Sequence, residues 1–216
     1  IDEGLVGSEM CIRDRSTMDR LHELSNKSGG LIGSSTGYKD LDNKLQGLQN
    51  GDLIVVAGRP SMGKTSLAMN VAENVLLDSE SNGSVLIFSL EMPGESLTTR
   101  LLSGMTKLNQ QNVRSGMLKD DELRILFQQS EKLKNLPLWI DDSSILSPME
   151  LRAKARRLAR TEKDGLSLIV VDYLQLMQLP LSSENRVNQI SEISRSLKSL
   201  ATVSYTHLTL PTIMPV

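Results

Sequence analysis

The sequence predicts an α/β fold, a mostly parallel sheet flanked by helices, because short apolar runs alternate with helical stretches along the chain. The run at residues 53–57 is continuously apolar and bounded by turn residues, as is typical of a buried parallel strand, and residues 85–90 predict a second buried strand. Shorter runs at 138–140 and 168–171 predict two more strands.

Helical spacing of apolar residues predicts helices over residues 66–77, most of 95–135, and 187–201. The strongest helix start is Ser147-Pro148-Met149-Glu150. Here Ser is the N-cap, Pro takes the first helical position and Glu completes a capping box. This helix is expected to end near residue 161.

The chain of 216 residues has 39% hydrophobic and 23% charged residues, the balance of an ordinary soluble domain. A formal net charge of −2 argues against an isolated DNA-binding module, and 3% aromatic content argues against a nucleic-acid surface built on stacking. No apolar run is long enough to cross a membrane, and the N-terminus lacks a signal-peptide pattern. With a single Cys, which excludes an internal disulfide, these features predict a cytosolic protein.

A glycine-rich segment between the first predicted strand and the first predicted helix carries the strongest functional pattern. Gly, four residues, then Gly-Lys-Thr is the P-loop, whose backbone N–H groups and helix N-terminus bind phosphate. Lys64 is expected to contact the β and γ phosphates of ATP, and the Thr65 hydroxyl to bind Mg²⁺. The predicted nucleotide-binding residues are Gly58, Arg59, Pro60, Ser61, Met62, Gly63, Lys64, Thr65 and Ser66.

Two acidic residues directly follow predicted strands and are expected at the carboxyl edge of the sheet, beside the P-loop. Asp172, after the strand at 168–171, is predicted to hold Mg²⁺ as the Walker B acid. Glu91, after the strand at 85–90, is a candidate for the group that orients and deprotonates the attacking water. The alternative for Glu91 is an ordinary solvated residue at a helix start.

The remaining charged groups have plainer interpretations. The Asp141-Asp142 pair, followed by two serines, is more typical of a turn or a cap than of a direct catalytic role. Basic residues between 152 and 160 spread around a predicted helix, which favours a solvated face over a subunit or DNA contact. His22 is interpreted as an ordinary surface or linker residue.

Several strings, in unbroken order from about residue 18 to residue 201, resemble the DnaB family of replicative DNA helicases. The most specific are Arg-Pro-Ser-Met-Gly-Lys-Thr at 59–65 and Ser-Leu-Glu-Met at 89–92. The other matching strings lie at 35–42, 47–53, 140–143, 152–160, 172–177 and 193–198.

The resemblance implies a RecA-like P-loop NTPase domain of a homohexameric ring that uses ATP and Mg²⁺. Such rings move 5′ to 3′ on single-stranded DNA and unwind the replication fork. The resemblance also implies Glu91 and Lys64 as catalytic residues and Thr65 and Asp172 as metal ligands. Residues 18–28 would end the linker helix that docks on a neighbouring subunit. Primase and a helicase loader are the implied partners, and the cytoplasmic replisome of a bacterium or phage is the implied location.

The two ends of the chain can encode one another in antisense. Residues 9–14 can be written GAG ATG TGT ATA AGA GAC, followed by AG, and the reverse complement, read from its third base, encodes residues 203–208. The string also resembles a transposase-end sequencing adapter. We therefore expect residues 1–15 and 203–216 to be translated adapter, in which case Cys11 and His207 carry no function. Residues 16–34 are then linker helix and linker, and residues 35–202 a partial RecA-like ATPase domain.

A domain cut at residue 202 would lack the last strands of the family, and with them its polar sensor, its arginine finger and a principal DNA-binding loop. Such a chain is expected to bind Mg-nucleotide at most and to hydrolyse ATP poorly, because a finger supplied in trans is worth about 10³–10⁵ in rate. It would also leave a strand edge unpaired.

Three other functions remain open at this point. Another RecA-like ATPase, either a recombinase or a clock-type ring protein, shares the P-loop and both acids but does not unwind duplexes processively. A small-molecule kinase would need an arginine-bearing lid and an acceptor pocket, and no such segment is evident. A non-catalytic nucleotide sensor is disfavoured because Lys64, Thr65, Glu91 and Asp172 are all retained.

Overall fold

The computed structural model describes residues 31–59, 61–78, 83–177, 186–204 and 207–212, with only the backbone described for 203–204 and 207–212. Ile1–Ile32 and Gly33–Val216 are separate compact units, and the fold below is that of the second. The predicted linker helix at 18–28, together with Cys11 and His22, lies outside the described residues.

Helices and strands alternate as the sequence predicts. The helices are α1 (Lys39–Leu45), α2 (Lys64–Leu77), α3 (Gly94–Thr106), α4 (Gln110–Ser115), α5 (Asp120–Lys134), α6 (Pro148–Thr161) and α7 (Arg186–Ser204). The strands are β1 (Leu53–Ala57), β2 (Ser84–Ser89), β3 (Leu138–Asp141), β4 (Leu166–Asp172) and β5 (His207–Thr212). A short 3₁₀ turn, Leu174–Leu176, follows β4.

The strands form one five-stranded sheet in the order β1-β5-β4-β2-β3. Every neighbouring pair is parallel, so all the carboxyl ends lie at one edge of the sheet. The central pair β2 and β4 is in register from Val85 opposite Leu168 to Ser89 opposite Asp172. The predicted α/β class with a parallel sheet is therefore confirmed.

Two apolar cores cover the two faces of the sheet, because side chains alternate between faces along each strand. On one face, Phe88 of β2 and Val171 of β4 pack with apolar residues of α6 and α7. On the other, Ile87 and Val170 pack with residues of α2 and α3. Both faces of β2 and β4 are thus buried, which explains why these strands are apolar without alternation.

The helical stretch predicted over 95–135 is divided into three helices. α3 ends at Lys107 and α4 at Gly116, both of which adopt left-handed backbone conformations that terminate a helix. The Asn109 side chain accepts a hydrogen bond from the Gln111 N–H and starts α4 anew. The spacing of apolar residues predicts a mostly helical stretch, whereas these residues decide where the helices end and begin.

The capping box predicted for α6 is present. The Ser147 hydroxyl accepts the Glu150 N–H at 3.2 Å, and the Glu150 carboxylate accepts the Ser147 N–H at 2.8 Å. Pro148 stands at the start of the helix and Thr161 at its end, as predicted.

The strand β1 differs from its prediction as a buried strand. Val55 is 49% exposed, and the other residues of β1 are half-buried or exposed. The reason is its position: among the described strands, β1 pairs only with β5 and lies at one edge of the sheet.

The strand β5 lies in the segment predicted to be adapter, after the last strand that the sequence predicts. Its backbone pairs with β1 on one side and β4 on the other, and so bridges the two. Parallel pairing is made by backbone N–H and C=O groups that nearly every residue carries. A strand here is therefore compatible with either origin of the segment 203–216, and its origin stays a prediction.

The segment before α1 is organised by a buried carboxylate. Asp42 of α1 is 6% exposed and accepts hydrogen bonds from the Ser35 hydroxyl and from both the N–H and the hydroxyl of Thr36. The Thr36 carbonyl in turn accepts a hydrogen bond from Asn74 of α2 at 2.8 Å. The hydrogen bonds of Asp42 and Asn74 therefore attach the segment before α1 to α2, the helix that follows the P-loop.

Candidate nucleotide-binding site

The predicted site residues come together at the carboxyl edge of the sheet. β1 leads into the P-loop, β4 ends at Asp172, and Glu91 lies two residues beyond the end of β2. The Leu90 N–H donates to the Asp172 carbonyl at 2.7 Å, which extends the β2–β4 pairing to the residue before Glu91. Ligands of open parallel sheets bind at this edge, as the sequence predicts.

The P-loop backbone presents N–H groups at the start of α2. Ser61 and Gly63 have positive φ angles of 63° and 85°, and the Leu67 N–H donates to the Gly63 carbonyl to begin the helix. No side chain caps α2, and its first turn has no acidic residue, so its first N–H groups and its dipole remain available for an anion. Of the predicted loop residues, Pro60 lies outside the described part of the chain.

The Lys64 ammonium closes the loop on itself. Its Nζ donates to the carbonyls of Gly58 and Arg59, at 3.0 Å each. A lysine held across the loop in this way places its positive charge within the turn that is expected to surround the phosphates.

The predicted metal ligands are in direct contact. The Thr65 hydroxyl, at the start of α2, donates to the Asp172 carboxylate at 2.7 Å, although 107 residues separate them in the sequence. Asp172 is 4% exposed. A hydroxyl and one carboxylate suit Mg²⁺, which is commonly held by one or two carboxylates together with waters and substrate phosphates.

Burial is the main reason that the pKa of the Asp172 carboxyl is raised above its usual 3.8. The hydrogen bond from Thr65 opposes this shift, the negative charge of Glu91 adds to it, and the positive charges of Arg100 and Lys64 also oppose it. A cation bound beside this carboxylate would oppose the shift by favouring its charged form.

Glu91 is exposed and near Asp172, close enough for its charge to raise the pKa of that carboxyl. Its own carboxylate makes no hydrogen bond or ion pair with the other residues that the structure describes. A free carboxylate beside the P-loop and the predicted metal ligands can accept a proton from a water molecule there.

Arg100 of α3 is a site residue that the sequence analysis did not single out. Its charge lowers the pKa of Asp172, and its Nε atom is buried without a hydrogen-bond partner in the described part of the chain. A sequence signal did exist, since Arg100 is flanked on α3 by the buried Leu97 and Leu101 and is therefore on or beside the inward face of that helix.

The adjacent acidic residues Asp141 and Asp142, at and just after the end of β3, have different hydrogen-bond partners. Asp141 accepts hydrogen bonds from Lys154 of α6 at 2.5 Å and from the Ser143 N–H at 3.1 Å. Partial burial alone would raise the pKa of the Asp141 carboxyl, but these hydrogen bonds prevail and hold it below the usual value. Asp142 instead accepts the N–H of Gly94 at 3.0 Å. Both residues thus act in turns and caps, the more typical interpretation of the pair.

The basic residues of α6 are largely exposed, as a solvated face requires. Arg156, Arg157 and Arg160 are exposed, and Lys154 bonds to Asp141 and to the Ser143 hydroxyl. This helix packs its apolar side, including Leu151 and Ala155, on the sheet.

Comparison with known families agrees with this geometry. The family described as DnaB-like helicase C terminal domain matches residues 33–213, most of the chain. The chain belongs to this family. The match includes the P-loop, Glu91 and Asp172, and the parallel sheet with flanking helices is the RecA-like fold predicted from the sequence.

Individual DnaB-like proteins are similar over most of the chain. The replicative DNA helicase DnaB of Buchnera aphidicola subsp. Acyrthosiphon pisum is 50% identical over 173 residues, which are 80% of this chain and 37% of that protein. The replicative DNA helicase DnaB of Pasteurella multocida is 48% identical over 196 residues, 89% of this chain and 41% of that protein. The chain therefore spans about two fifths of these relatives' length.

A solved structure of a DnaB-like replicative helicase, described with its interactions with primase, has the same fold. It matches with a TM-score of 0.83 and 26% identity, over 99% of this chain and 49% of the other. In the described part of this DnaB-like chain, no helix is long and apolar enough to cross a membrane.

Proposed function

We propose that this DnaB-like domain is the ATP-hydrolysing motor of a replicative DNA helicase. In this proposal it binds Mg-ATP and couples hydrolysis to 5′-to-3′ movement on single-stranded DNA as part of a homohexameric ring. The observation that carries the proposal is the contact between Thr65 and Asp172, at 2.7 Å, beside the Lys64 of the P-loop. Membership of the DnaB-like family supports the step from nucleotide site to DNA motor.

Each residue has a defined role in the proposed reaction. The Lys64 ammonium exchanges its bonds to the Gly58 and Arg59 carbonyls for bonds to β- and γ-phosphate oxygens. Thr65 and Asp172 would hold Mg²⁺, which when bound would supply positive charge to the phosphates. The remaining N–H groups of the P-loop, from Gly58 to Ser66, orient the nucleotide.

Glu91 is proposed as the base. Its carboxylate accepts a proton from a water molecule, the water oxygen forms a bond to the γ-phosphorus, and the bond from that phosphorus to the ADP oxygen breaks. The exposure of Glu91 and its nearness to Asp172 support this role. By family resemblance, a neighbouring subunit contributes an arginine to the same reaction. Primase and a helicase loader are the proposed partners, and the cytoplasm of a bacterium, or of a bacterium infected by phage, is the proposed location.

The test uses the protein encoded by the whole gene at its genomic locus. ATP hydrolysis is measured with and without single-stranded DNA, beside a duplex-unwinding assay, for the unchanged protein and for Glu91→Gln. We expect DNA to stimulate hydrolysis and Glu91→Gln to lower it by about 10²–10⁴, the usual contribution of general acid–base catalysis. Nucleotide binding should persist, because the P-loop is unchanged.

The matched control is Glu131→Gln, the same chemical change at an exposed position on α5. It should leave hydrolysis and unwinding unchanged. Hydrolysis that ignores DNA, or a Glu91→Gln protein as active as the control, would remove the motor proposal. Strand pairing without unwinding would point to a recombinase instead.

We also infer that residues 1–15 and 203–216 are adapter-derived, as the antisense match between residues 9–14 and 203–208 indicates. Resequencing the locus across both junctions tests this inference. We expect different codons after residue 202 and before residue 16. An uninterrupted gene encoding the printed ends would reject it.

A further inference from the structure

The loop that carries Glu91 has no regular secondary structure, yet its two ends are fixed. It runs from Leu90 to Pro93, between β2 and α3. Because the Glu91 carboxylate has no hydrogen bond or ion pair to the other described residues, its position is set by the backbone of this loop. What fixes the loop therefore fixes the proposed base.

At its start the loop is held by Ser89. This residue is 1% exposed at the end of β2, and its hydroxyl donates to the Met92 carbonyl at 2.6 Å and accepts the Met92 N–H at 3.2 Å. The two bonds close a tight turn around Glu91. The main-chain bond from Leu90 to Asp172 adds a third restraint on the same side.

At its end the loop enters α3, a helix without a cap of its own. Its N-cap residue is Pro93, whose side chain accepts no hydrogen bond. The carboxylate of Asp142, the residue directly after β3, accepts the N–H of Gly94 at 3.0 Å, although 48 residues separate the two in the sequence. A helix N-terminus favours a nearby negative charge, and its first N–H groups need acceptors. Asp142 provides a negative charge there and an acceptor for the Gly94 N–H.

The spacing at this point is that of ordinary van der Waals contact. A Cβ atom on Gly94 would lie 3.4 Å from the Asp142 carboxylate and 3.5 Å from Ile140. The neighbouring acid, Asp141, turns instead to Lys154 and Ser143 and does not share in this contact.

We infer that Asp142 is a positioning residue for ATP hydrolysis: by capping α3 from the neighbouring strand, it sets the orientation of the loop that carries Glu91. The inference rests on the proposed role of Glu91. Asp142 itself does not touch the nucleotide in this account.

Removing the cap should slow the chemical step and leave nucleotide affinity alone. In Asp142→Ala, we expect kcat to fall by about ten- to a hundredfold, as small misplacements of a catalytic group do. KM for ATP and Kd for ADP should stay unchanged, because Lys64, Thr65 and Asp172 are untouched. Asp142→Asn keeps a carbonyl oxygen that can accept the Gly94 N–H, so it should restore most of the rate.

A second variant removes the same hydrogen bond from the donor side. Gly94→Pro deletes the N–H at the first helical position, where proline is well tolerated, and the extended backbone of Pro93 suits a following proline. Its kcat should fall as in Asp142→Ala, and the double variant should lose no more than either alone. Hydrogen exchange at residues 91–97 should quicken in both variants.

Asp141→Ala is the matched control and should leave kcat and exchange at 91–97 unchanged. All assays use the protein from the whole gene, with Glu91→Gln measured in parallel. If Glu91→Gln is inactive but Asp142→Ala and Gly94→Pro keep the normal kcat, the positioning role is wrong and the proposed function stands. Equal losses in Asp141→Ala and Asp142→Ala, or no recovery in Asp142→Asn, also overturn it. A fully active Glu91→Gln removes both proposals.

Discussion

Two buried carboxyl groups, Asp172 in the candidate nucleotide-binding site and Asp42 outside it, have pKa values shifted in opposite directions. Asp42 of α1 is 6% exposed, and Asp172, at the end of β4, is 4% exposed. Burial raises the pKa of both carboxyls, yet the pKa of Asp42 ends below its usual 3.8 and that of Asp172 ends above it. Their hydrogen bonds and neighbouring charges explain the difference.

Asp42 accepts bonds from the Ser35 hydroxyl, the Thr36 hydroxyl and the Thr36 N–H, which together outweigh the cost of burial. Asp172 has the Thr65 hydroxyl, and the charge of Glu91 lies nearby. The comparison teaches that hydrogen bonds from nearby residues can outweigh the burial of a carboxylate, as they do at Asp42. At Asp172, which we propose as a metal ligand, burial prevails over the hydrogen bond from Thr65.

The largest effect is expected at Asp172. Asp172→Asn should lower ATP hydrolysis by at least about a hundredfold, because a metal ion contributes several kcal/mol and 1.36 kcal/mol is tenfold in rate. The same change should raise the free energy of unfolding of the nucleotide-free protein, since it removes a buried charge that is poorly compensated. Kinetic assays and urea unfolding measure the two effects.

The control for this change is Asp164→Asn, at an exposed position before β4. It should alter neither quantity. A nucleotide-free Asp172→Asn protein that is less stable than the unchanged protein would contradict the comparison, because Asp172 would then be a structural carboxylate like Asp42.

At Asp42 the expected effect is on stability. Asp42→Ala leaves the Thr36 N–H and hydroxyl without their acceptor, which should lower the free energy of unfolding by about 1–3 kcal/mol. Asp40→Ala, at an exposed position of the same helix, should change it little. Denaturant unfolding compares the two variants, and equal losses would show that the network around Asp42 contributes nothing of its own.

The two carboxylates should also respond to pH in opposite directions. The pKa of Asp42 is lower in the fold than in the unfolded chain, so its contribution to stability is present above pH 3.8 and disappears as the pH falls through the folded value. The pKa of Asp172 is higher in the fold, so its effect on stability becomes less favourable as the pH rises from 3.8 through the folded value.

The directions of these two pH effects are tested by unfolding Asp42→Asn, Asp172→Asn and the unchanged protein over the pH range in which the two carboxyl groups titrate. The penalty of Asp42→Asn should shrink in acid. The gain from Asp172→Asn should shrink there as well, because both carboxylates are then protonated. A gain for Asp172→Asn that is independent of pH would show that charge is not its cause.

The smallest effect is expected at the Ser147 cap on the protein surface. The loss of unfolding free energy there can be compared with the loss at the buried network around Asp42. Ser147→Ala removes the hydroxyl that accepts the Glu150 N–H in the first turn of α6 and should lower the free energy of unfolding by about 1 kcal/mol. Ser144→Ala, three residues earlier and exposed, is the control. A loss at Ser147 larger than that at Asp42 would reverse the ranking of buried and surface hydrogen bonds.

Local sequence patterns predicted most of the elements, because strands and helices of this fold obey simple rules of period and capping. Four strands and the capping box at Ser147 lie where the pattern places them. The breaks between α3, α4 and α5 were not predicted, since they depend on left-handed residues at Lys107 and Gly116 within one stretch of helical character. The exposure of β1 was also not predicted, because it depends on which strands lie beside β1 in the sheet.

For the candidate site, the motif named Lys64, Thr65, Glu91 and Asp172, because phosphate and Mg²⁺ binding require particular groups after particular strands. It could not show Arg100, whose importance lies in its nearness to Asp172. It also could not separate Asp141 from Asp142, adjacent residues of the same type. Their different partners, Lys154 and Gly94, belong to different helices.

The sequence by itself determined the fold class and the family and predicted the nucleotide chemistry, because each depends on residue types at short, regular spacings. Only the tertiary structure decided the sheet order, the contact of Thr65 with Asp172 across 107 residues, and the cap that Asp142 gives to α3. These depend on which strands lie side by side, and parallel strands joined by helices bring together residues that no local pattern relates.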